Sequence, residues 1–354
     1  MAITEPSVPI AAPRDHGFHK VRIARVVRET EDARTFVFDI PDELRVAFGY
    51  EAGQFCTFRV WIDGEPYLRS YSISSAPGVD EELQVTVKRV PGGIVSNRLY
   101  DTLNAGDHIE TTCPAGVFCL GPGDSDVVAI CAGSGVTPVL SIVKHALAAT
   151  GRNVRVLYAN RDRDSVIFAA ALDELGKRYG PRLEIIHHLD VEQGFIDGAT
   201  VRGFIRGVTA EYFVCGPGPF MDLVEETLLE VGVEDQRIHI EVFTPAERAE
   251  RLRTSDPVDP PCRVTIELDG RTESVDHHPG TTILQTARQI GMAPPFSCES
   301  GSCATCMAKV TVGTATMYVN NALTEDEVKA GWVLTCQALP TTPSVHVVYD
   351  AEEG

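Results

Sequence analysis

Hydrophobic and polar positions along this chain form three successive patterns. From Lys20 to about Leu120, short β-rich runs such as VRIARVV and QFCTFRVWI are separated by Pro and Gly turns, which is typical of an antiparallel β-barrel. Between Val127 and Phe243, continuous apolar strands alternate with amphipathic helices, which predicts a parallel sheet covered on both faces. After Cys262, short strands and helices surround a cysteine-rich loop, which indicates a small α+β unit.

The domain organisation follows from these changes of pattern. A chain of 354 residues is too long for one hydrophobic core. We expect a barrel domain at 17–123, an α/β domain at 124–243 and an α+β domain at 262–354. The polar segment 244–261 ends in closely spaced prolines and is typical of a semi-stiff linker. The predicted fold class is therefore multidomain.

Local signals in the last domain are specific. Asp269-Gly270 between two β-rich runs predicts a tight hairpin. Thr282 followed by Gln285, and Thr324 followed by Glu327, have the spacing of helix capping boxes.

Composition narrows the function classes. The net charge of −19 argues against a nucleic-acid partner. The N-terminus has no basic start followed by an apolar core, so a reducing cytoplasm is expected. The most apolar run, Val127 to Val143, is interrupted by Gly133, Gly135 and Pro138 and is not expected to span a membrane.

The cysteines carry the most specific chemical signal. Cys298, Cys303 and Cys306 follow the spacing C-x4-C-x2-C, and Cys336 comes later in LTCQ. This is the ligand set of a plant-type [2Fe-2S] cluster, whereas a zinc ribbon would need a second C-x2-C pair. The other cysteines outside the nucleotide motif have no usable spacing and are expected to be small buried residues: Cys56, Cys113, Cys119, Cys131 and Cys262.

The barrel region contains the segment Arg69-Ser70-Tyr71-Ser72. Strand alternation places Arg69 and Tyr71 on one face and the two serines on the other. A guanidinium and an aromatic ring on one face suit a cofactor that combines a diphosphate with a flat heterocycle.

A second signal in this region is a predicted helix start. Gly92 and Gly93 precede that start, and Ser96 lies in its first turn. The exposed N–H groups of such a terminus form an anion site.

The α/β region carries two turns that suit a dinucleotide. Gly133 and Gly135 open a helix in GSGVTP, although Pro138 stands where the usual fingerprint has its third glycine. Cys215-Gly216-Pro217 ends a later strand at the edge where ligands bind in such folds. After the second strand, Arg161 or Arg163 suits a 2′-phosphate, but neighbouring aspartates could neutralise both, so the choice between NADH and NADPH stays open.

Taken together, R-x-Y-S, G-G-x-x-S, GSGVTP and CGPGPFM resemble the ferredoxin–NADP reductase superfamily, and the C-terminal domain resembles a plant-type ferredoxin of β-grasp fold. The resemblance implies that Arg69 and Ser96 hold the FAD diphosphate, that Tyr71 stacks on the isoalloxazine, and that Ser72 and Cys215 flank the hydride-transfer site. It assigns these positions to FAD or NAD(P)H: Arg69, Ser70, Tyr71, Ser72, Lys88, Gly92, Gly93, Ser96, Gly133, Gly135, Thr137, Pro138, Arg161, Cys215, Gly216, Pro217 and Phe243.

The order of the three modules indicates the chemistry. Nicotinamide gives up two electrons as hydride, a [2Fe-2S] cluster accepts one at a time, and a flavin between them can take a pair and release it singly. The module order, with YANRDRDSVIF, IEVF and GWVLTCQ, is similar to the reductase components of multicomponent bacterial oxygenases. This implies a monomeric NAD(P)H-dependent enzyme serving either a Rieske-type oxygenase, such as a ketosteroid 9α-hydroxylase, or a di-iron oxygenase, such as a phenylacetyl-CoA epoxidase. A stand-alone diaphorase or oxidase and a redox-sensing interaction module are the alternatives.

Overall fold

The computed structural model describes residues 18–205, 207–243, 262–278, 280–296, 301, 304–320 and 322–349. Three main sheets organise these residues, each contributed by one continuous part of the chain. Within the described ranges, no helix is both long and apolar enough to cross a membrane.

The first sheet is antiparallel and has six strands in the order β4-β3-β6-β1-β2-β5. An isolated bridge between Ile73 and Val85 links its two edges, so the sheet curls around an aromatic and aliphatic core. Helix α1, Ile94–Thr102, connects β5 to β6. The strands are β1 Phe18–Arg28, β2 Ala33–Asp39, β3 Phe55–Ile62, β4 Glu65–Ser72, β5 Gln84–Lys88 and β6 His108–Thr112.

The second sheet is parallel and has five strands in the order β11-β10-β7-β8-β9. The strands are β7 Asp126–Ala132, β8 Val154–Asn160, β9 Leu183–Leu189, β10 Ala210–Cys215 and β11 Ile238–Glu241. The helices are α2 Val136–Ala149, α3 Ala169–Tyr179, α4 Asp190–Gln193, α5 Gly198–Ile205 and α6 Gly218–Glu230. Residues of α2 and α3 pack on one face and residues of α5 and α6 on the other, because the strands are apolar on both sides.

The third domain is built on a mixed five-stranded sheet in the order β13-β12-β18-β14-β16, with β15 and β17 as a separate pair. Its strands are β12 Cys262–Leu268, β13 Arg271–His277, β14 Met307–Val312, β15 Ala315–Met317, β16 Trp332–Leu334, β17 Ala338–Pro340 and β18 Ser344–Val348. Its described helices are α7 Ile283–Gln289 and α8 Glu325–Lys329.

The local signals of this domain are confirmed. Both α7 and α8 begin with the predicted reciprocal capping boxes. Asp269 and Gly270 have φ values of 51° and 71°, as a two-residue hairpin turn between β12 and β13 requires.

The first sheet is attached to the second domain through helix α2. The Ser141 hydroxyl donates to the Ser75 carbonyl at 2.5 Å and accepts from the Gly53 N–H at 3.3 Å. Lys144 forms an ion pair with Asp80 at 3.0 Å, and this pair is largely shielded from solvent. Polar contacts therefore fix the helix that follows the glycine turn against the first sheet.

Candidate functional site

The glycine turn and the Cys215 motif meet where the strand order of the parallel sheet reverses. Strands β7 and β10 are neighbours, with Cys131 opposite Cys215, and their connections leave in opposite directions. A Cβ atom added to Gly135 would lie 2.1 Å from the Cys215 carbonyl oxygen. Only glycine allows this close approach, which brings the start of α2 against the end of β10 at the edge where ligands bind in such folds.

Tyr158 supports the glycine turn and was not singled out from the sequence. Its hydroxyl donates to the Gly133 carbonyl at 3.0 Å and accepts from the Ile167 N–H at 3.2 Å. The side chain is fully buried, and burial raises the pKa of its phenol well above the ordinary value. The sequence did contain a signal for this role: a tyrosine inside a buried strand needs a hydrogen-bond partner for its hydroxyl.

The other predicted residues of the two turns have structural contacts of their own. Thr137 is buried and its hydroxyl donates to the Ser134 carbonyl at 2.8 Å. Pro138 is buried within α2. Gly216 packs closely against Phe220, and Pro217 precedes the first turn of α6.

Cys215 lies fully buried between two other strand ends. Burial raises the pKa of its thiol well above the ordinary value, and the neighbouring Glu241 and Cys131 raise it further. The thiol therefore stays neutral, which suits a packing and orienting group and not a nucleophile. Phe243, two residues beyond Glu241, is 39% exposed at the same edge of the sheet.

On the first sheet, the R-x-Y-S residues lie at the end of β4. Tyr71 is half-buried and contacts Phe58 with 5.2 Å between ring centroids, and burial raises the pKa of its phenol. Arg69 is exposed on the same face, while Ser72 is buried. The Ser70 hydroxyl lies 2.9 Å from that of Thr57, so this serine is already engaged within the sheet.

Lys88 and the start of α1 lie where the first domain meets the glycine turn at Gly133 and Gly135. A Cβ placed on Gly133 would lie 3.7 Å from the Lys88 Nζ, so the ammonium group faces the turn across the domain boundary. Gly92 has a φ of +73°, and Gly93 caps α1. The buried Ser96 hydroxyl accepts from the Val90 N–H at 3.1 Å and holds this loop. The positions predicted for FAD and for NAD(P)H are therefore adjacent.

Ion pairs hold the arginines of the loop that follows β8. Arg161 donates to the Asp162 carboxylate at 2.7 Å, and this contact keeps the pKa of Asp162 below its ordinary value. Arg163 lies 3.6 Å from the Glu192 carboxylate. Asp162 is itself fixed, because it accepts from the Ser165 N–H at 2.9 Å in a capping box.

Phe195 also lies beside this loop and was not predicted from the sequence. The Val191 N–H donates to the Arg161 carbonyl at 3.1 Å, which attaches α4 to the loop. Phe195 follows α4 and is 87% exposed. A large aromatic side chain left open at the carboxyl edge of a parallel sheet is a candidate nucleotide contact.

The predicted cluster ligands are only partly within the described residues. Cys298 and Cys303 lie outside them. Cys306 and Cys336 are both 2% exposed, at facing ends of β14 and β16. Gly301 has a φ of +81°, and a Cβ there would be 2.5 Å from the Val319 carbonyl oxygen, so only glycine fits at this position.

One cysteine prediction was wrong. Cys119 is only partly buried, because it lies in the loop between the first two sheets, and its thiol faces the Gly116 carbonyl at 3.7 Å. The other four structural cysteines, Cys56, Cys113, Cys131 and Cys262, are buried.

A cleft of about 2040 Å³ lies between the first sheet and the third domain. Its walls include Tyr67, Leu68 and Arg69 on one side and Phe296, Thr305 and Tyr349 on the other. The R-x-Y-S strand and the cluster loop therefore open onto the same space.

Comparisons with known proteins define the class. The oxidoreductase FAD-binding domain family matches residues 20–119, the oxidoreductase NAD-binding domain family matches 129–226, and the 2Fe-2S iron-sulfur cluster binding domain family matches 266–341. The glycine turn at the sheet edge, the Lys88 ammonium beside it and the buried thiols of Cys306 and Cys336 fit these three groups. The protein is an oxidoreductase that binds FAD, a nicotinamide dinucleotide and a [2Fe-2S] cluster.

Individual relatives narrow the class. The chain is 39% identical to the 3-ketosteroid-9-alpha-monooxygenase ferredoxin reductase component of Mycolicibacterium smegmatis, over 94% of this chain and 97% of that protein. It is 36% identical to one of the subunits of the 1,2-phenylacetyl-CoA epoxidase of Escherichia coli, over 95% of this chain and 98% of that protein. The chain belongs to this family of oxygenase reductase components.

A solved structure shows the same modular fold. Phthalate dioxygenase reductase superimposes with a TM-score of 0.58 at 24% identity, covering 94% of this chain and 98% of that one.

Proposed function

We propose that this protein takes electrons from NADH and delivers them singly to a terminal oxygenase component. The observation that supports this most is the meeting of two candidate sites at one boundary, where Lys88 of the first sheet faces the Gly133 turn. The chemistry that the groups supply when bound is the conversion of a hydride donation into single-electron transfers.

Different residues would bind the FAD, the dinucleotide and the cluster. Arg69, Lys88 and the α1 start at Gly92, Gly93 and Ser96 would hold the FAD diphosphate, while Tyr71 would cover its ring. The turn at Gly133 and Gly135, with Thr137 and Pro138, would hold the dinucleotide diphosphate. Ser72, Cys215 and Phe243 would keep nicotinamide and flavin in register and exclude water. Cys298, Cys303, Cys306 and Cys336 would hold the cluster.

Electron relay is tested by removing a cluster ligand. In Cys336→Ser, NADH-dependent reduction of cytochrome c should fall to near zero, whereas reduction of ferricyanide should persist because it can draw on the flavin alone. Cys298→Ser should behave in the same way. Cys262→Ser is the matched control, since Cys262 is also buried in this domain but has no ligand spacing.

Two other outcomes would contradict electron transfer through the cluster. Cytochrome c reduction that survives in Cys336→Ser would favour a stand-alone diaphorase. Slow turnover with every acceptor, including an oxygenase, would favour a redox-sensing module.

Preference for NADH is supported by the charges after β8. Arg161 and Arg163 each have a carboxylate partner, and Asp164 adds another negative charge to the same loop. A 2′-phosphate would have to displace these carboxylates and would be repelled by them, whereas the neutral 2′-hydroxyl of NADH meets no such cost.

The Asp162→Asn variant tests this preference. It releases Arg161 and should raise kcat/KM for NADPH by no more than several-fold, because an ion pair exposed to solvent is weak. Asp164→Asn removes an equal charge without releasing Arg161 and should change the ratio less. Wild-type protein that uses NADPH better than NADH would contradict the assignment.

The terminal oxygenase that we propose as the partner is of the Rieske type or the di-iron type. Two named relatives at 39% and 36% identity serve a ketosteroid monooxygenase and a phenylacetyl-CoA epoxidase. Reconstitution with each oxygenase component, with product formation per NADH consumed as the readout, separates a Rieske-type from a di-iron partner. Uncoupled NADH consumption with both would exclude these two acceptors.

We further propose the limits and the folds of the three domains. The domain limits 17–123, 124–243 and 262–354 are supported by the three sheets, while the linker 244–261 lies outside the described residues. We assign a barrel to the first domain and a β-grasp fold to the third. A monomeric state and a cytoplasmic location complete the proposal, and sedimentation and cell fractionation test them.

A further inference from the structure

Thr335 links the backbone at two of the predicted cluster ligands, Cys306 and Cys336. It lies directly before Cys336 and is fully buried. Its N–H and its hydroxyl both donate to the Cys306 carbonyl, at 3.1 and 2.8 Å. The Thr335 carbonyl accepts from the Leu284 N–H of α7 at 3.0 Å. The backbone segments that carry Cys306 and Cys336 are therefore tied together by one threonine.

Tyr349 extends this contact from the end of β18. Its hydroxyl donates to the Thr335 hydroxyl at 2.9 Å, and its side chain is only 8% exposed. Its N–H donates to the Glu267 carbonyl of β12 at 3.0 Å, which fixes the residue to the sheet. Burial raises the pKa of the Tyr349 phenol, so the group stays protonated and remains a donor.

The three groups form a directed chain. The phenol donates to the threonine hydroxyl, which donates to the Cys306 carbonyl, and each bond polarises the next. Hydrogen bonds and dipoles that stabilise added negative charge raise the reduction potential of an iron-sulfur centre.

We propose that Tyr349 is a positioning residue that acts through Thr335 to orient Cys306 and Cys336 and to raise the reduction potential of the cluster. The inference rests on the cluster assignment and not on the identity of the oxygenase. Tyr349 also lines the cleft that faces the first sheet.

The test uses full-length reconstituted protein. Tyr349→Phe keeps the ring and removes the donor, so the midpoint potential should shift to a more negative value and the g values of the dithionite-reduced EPR spectrum should change, at unchanged iron content. Thr335→Val should give a shift of the same sign, and the double variant should shift no further than the larger single one. Thr335→Ser should restore the wild-type potential.

Tyr318→Phe is the matched control. It removes a phenol hydroxyl from the same domain, at a residue that contacts Gln337 through its backbone N–H. Its potential and spectrum should equal those of the wild type.

Two results separate failure of this inference from failure of the proposed function. Wild-type potential and g values in Tyr349→Phe would overturn the inference while leaving the relay intact. If Tyr349→Phe does not retain its cluster, Thr335→Val decides, and a wild-type potential there also overturns it. Absence of a [2Fe-2S] EPR signal from reconstituted wild-type protein would instead overturn the cluster assignment itself.

Discussion

Gly135 shows how one missing side chain lets a helix start pack against a strand end. Its φ of −61° and ψ of −13° are ordinary helical values, so any residue could adopt this conformation. The need for glycine comes entirely from the Cys215 carbonyl, which would lie 2.1 Å from a Cβ. A backbone oxygen has no alternative rotamer, so an added methyl group must move a strand end.

Gly135→Ala is therefore expected to lower both stability and dinucleotide use. The displaced strand end carries Cys215, and misplacement of about 1 Å near a reacting centre can reduce kcat/KM roughly a hundred-fold. Thermal unfolding and steady-state kinetics with NADH and ferricyanide measure the two effects.

Gly176→Ala is the control for this change. Gly176 lies within α3, and a Cβ there would contact nothing within 4 Å. It should raise stability by up to about 1 kcal/mol through helix propensity, without a change in kinetics. Equal behaviour of the two variants would contradict the steric argument.

At the scale of elements, a row of hydroxyl groups crosses the first sheet beneath α2. Glu29 accepts from the Thr35 hydroxyl at 2.7 Å, Thr35 lies 2.8 Å from Thr86, and Thr86 lies 3.0 Å from Ser74. Burial raises the pKa of Glu29 from 4.5, while Thr35 and Lys144 of α2 partly offset the rise. The folded protein therefore favours the neutral carboxyl more than the unfolded chain does.

This predicts a pH dependence of stability. The contribution of Glu29 is complete below its unfolded pKa of 4.5 and is lost as pH rises through the higher folded value. Glu29→Gln keeps an acceptor for Thr35 without the charge, so it should melt at a higher temperature than the wild type at pH 7, and the gap should close towards pH 4.

Glu31→Gln is the control, because its side chain is 96% exposed. Its melting temperature should follow the wild type at every pH. A Glu29→Gln protein that is less stable than the wild type at pH 7 would show that the carboxylate is stabilising there.

For the whole molecule, the net charge of −19 acts on any charged electron acceptor. Long-range attraction raises the association rate of an oppositely charged partner and weakens when salt screens it. The Debye length falls from about 30 Å at 0.01 M salt to about 8 Å at 0.15 M.

Reduction of cytochrome c, which is basic, should therefore slow as salt is raised over this range. Reduction of ferricyanide, an anion, should stay constant or become faster. Stopped-flow rates with both acceptors measure the effect, and a parallel decrease for the two would indicate a loss of protein integrity and not electrostatic steering.

Short-range information in the sequence was sufficient for several features. The capping boxes at Thr282 and Thr324 and the hairpin at Asp269-Gly270 depend on residues within one turn, so spacing alone predicts them. The alternating pattern likewise predicted the parallel sheet and its two covered faces, because burial on both sides demands apolar strands.

The sequence by itself determined the modules, their order and the residue types that suit each cofactor. Only the tertiary structure decided which distant residues meet: Gly135 with Cys215, Lys88 with the Gly133 turn, and Tyr349 with Thr335. The physical reason is that strand order and domain packing set these contacts, and both depend on the burial of the whole chain. Cys119 illustrates the same limit, since its exposure is decided by the loop that joins two domains.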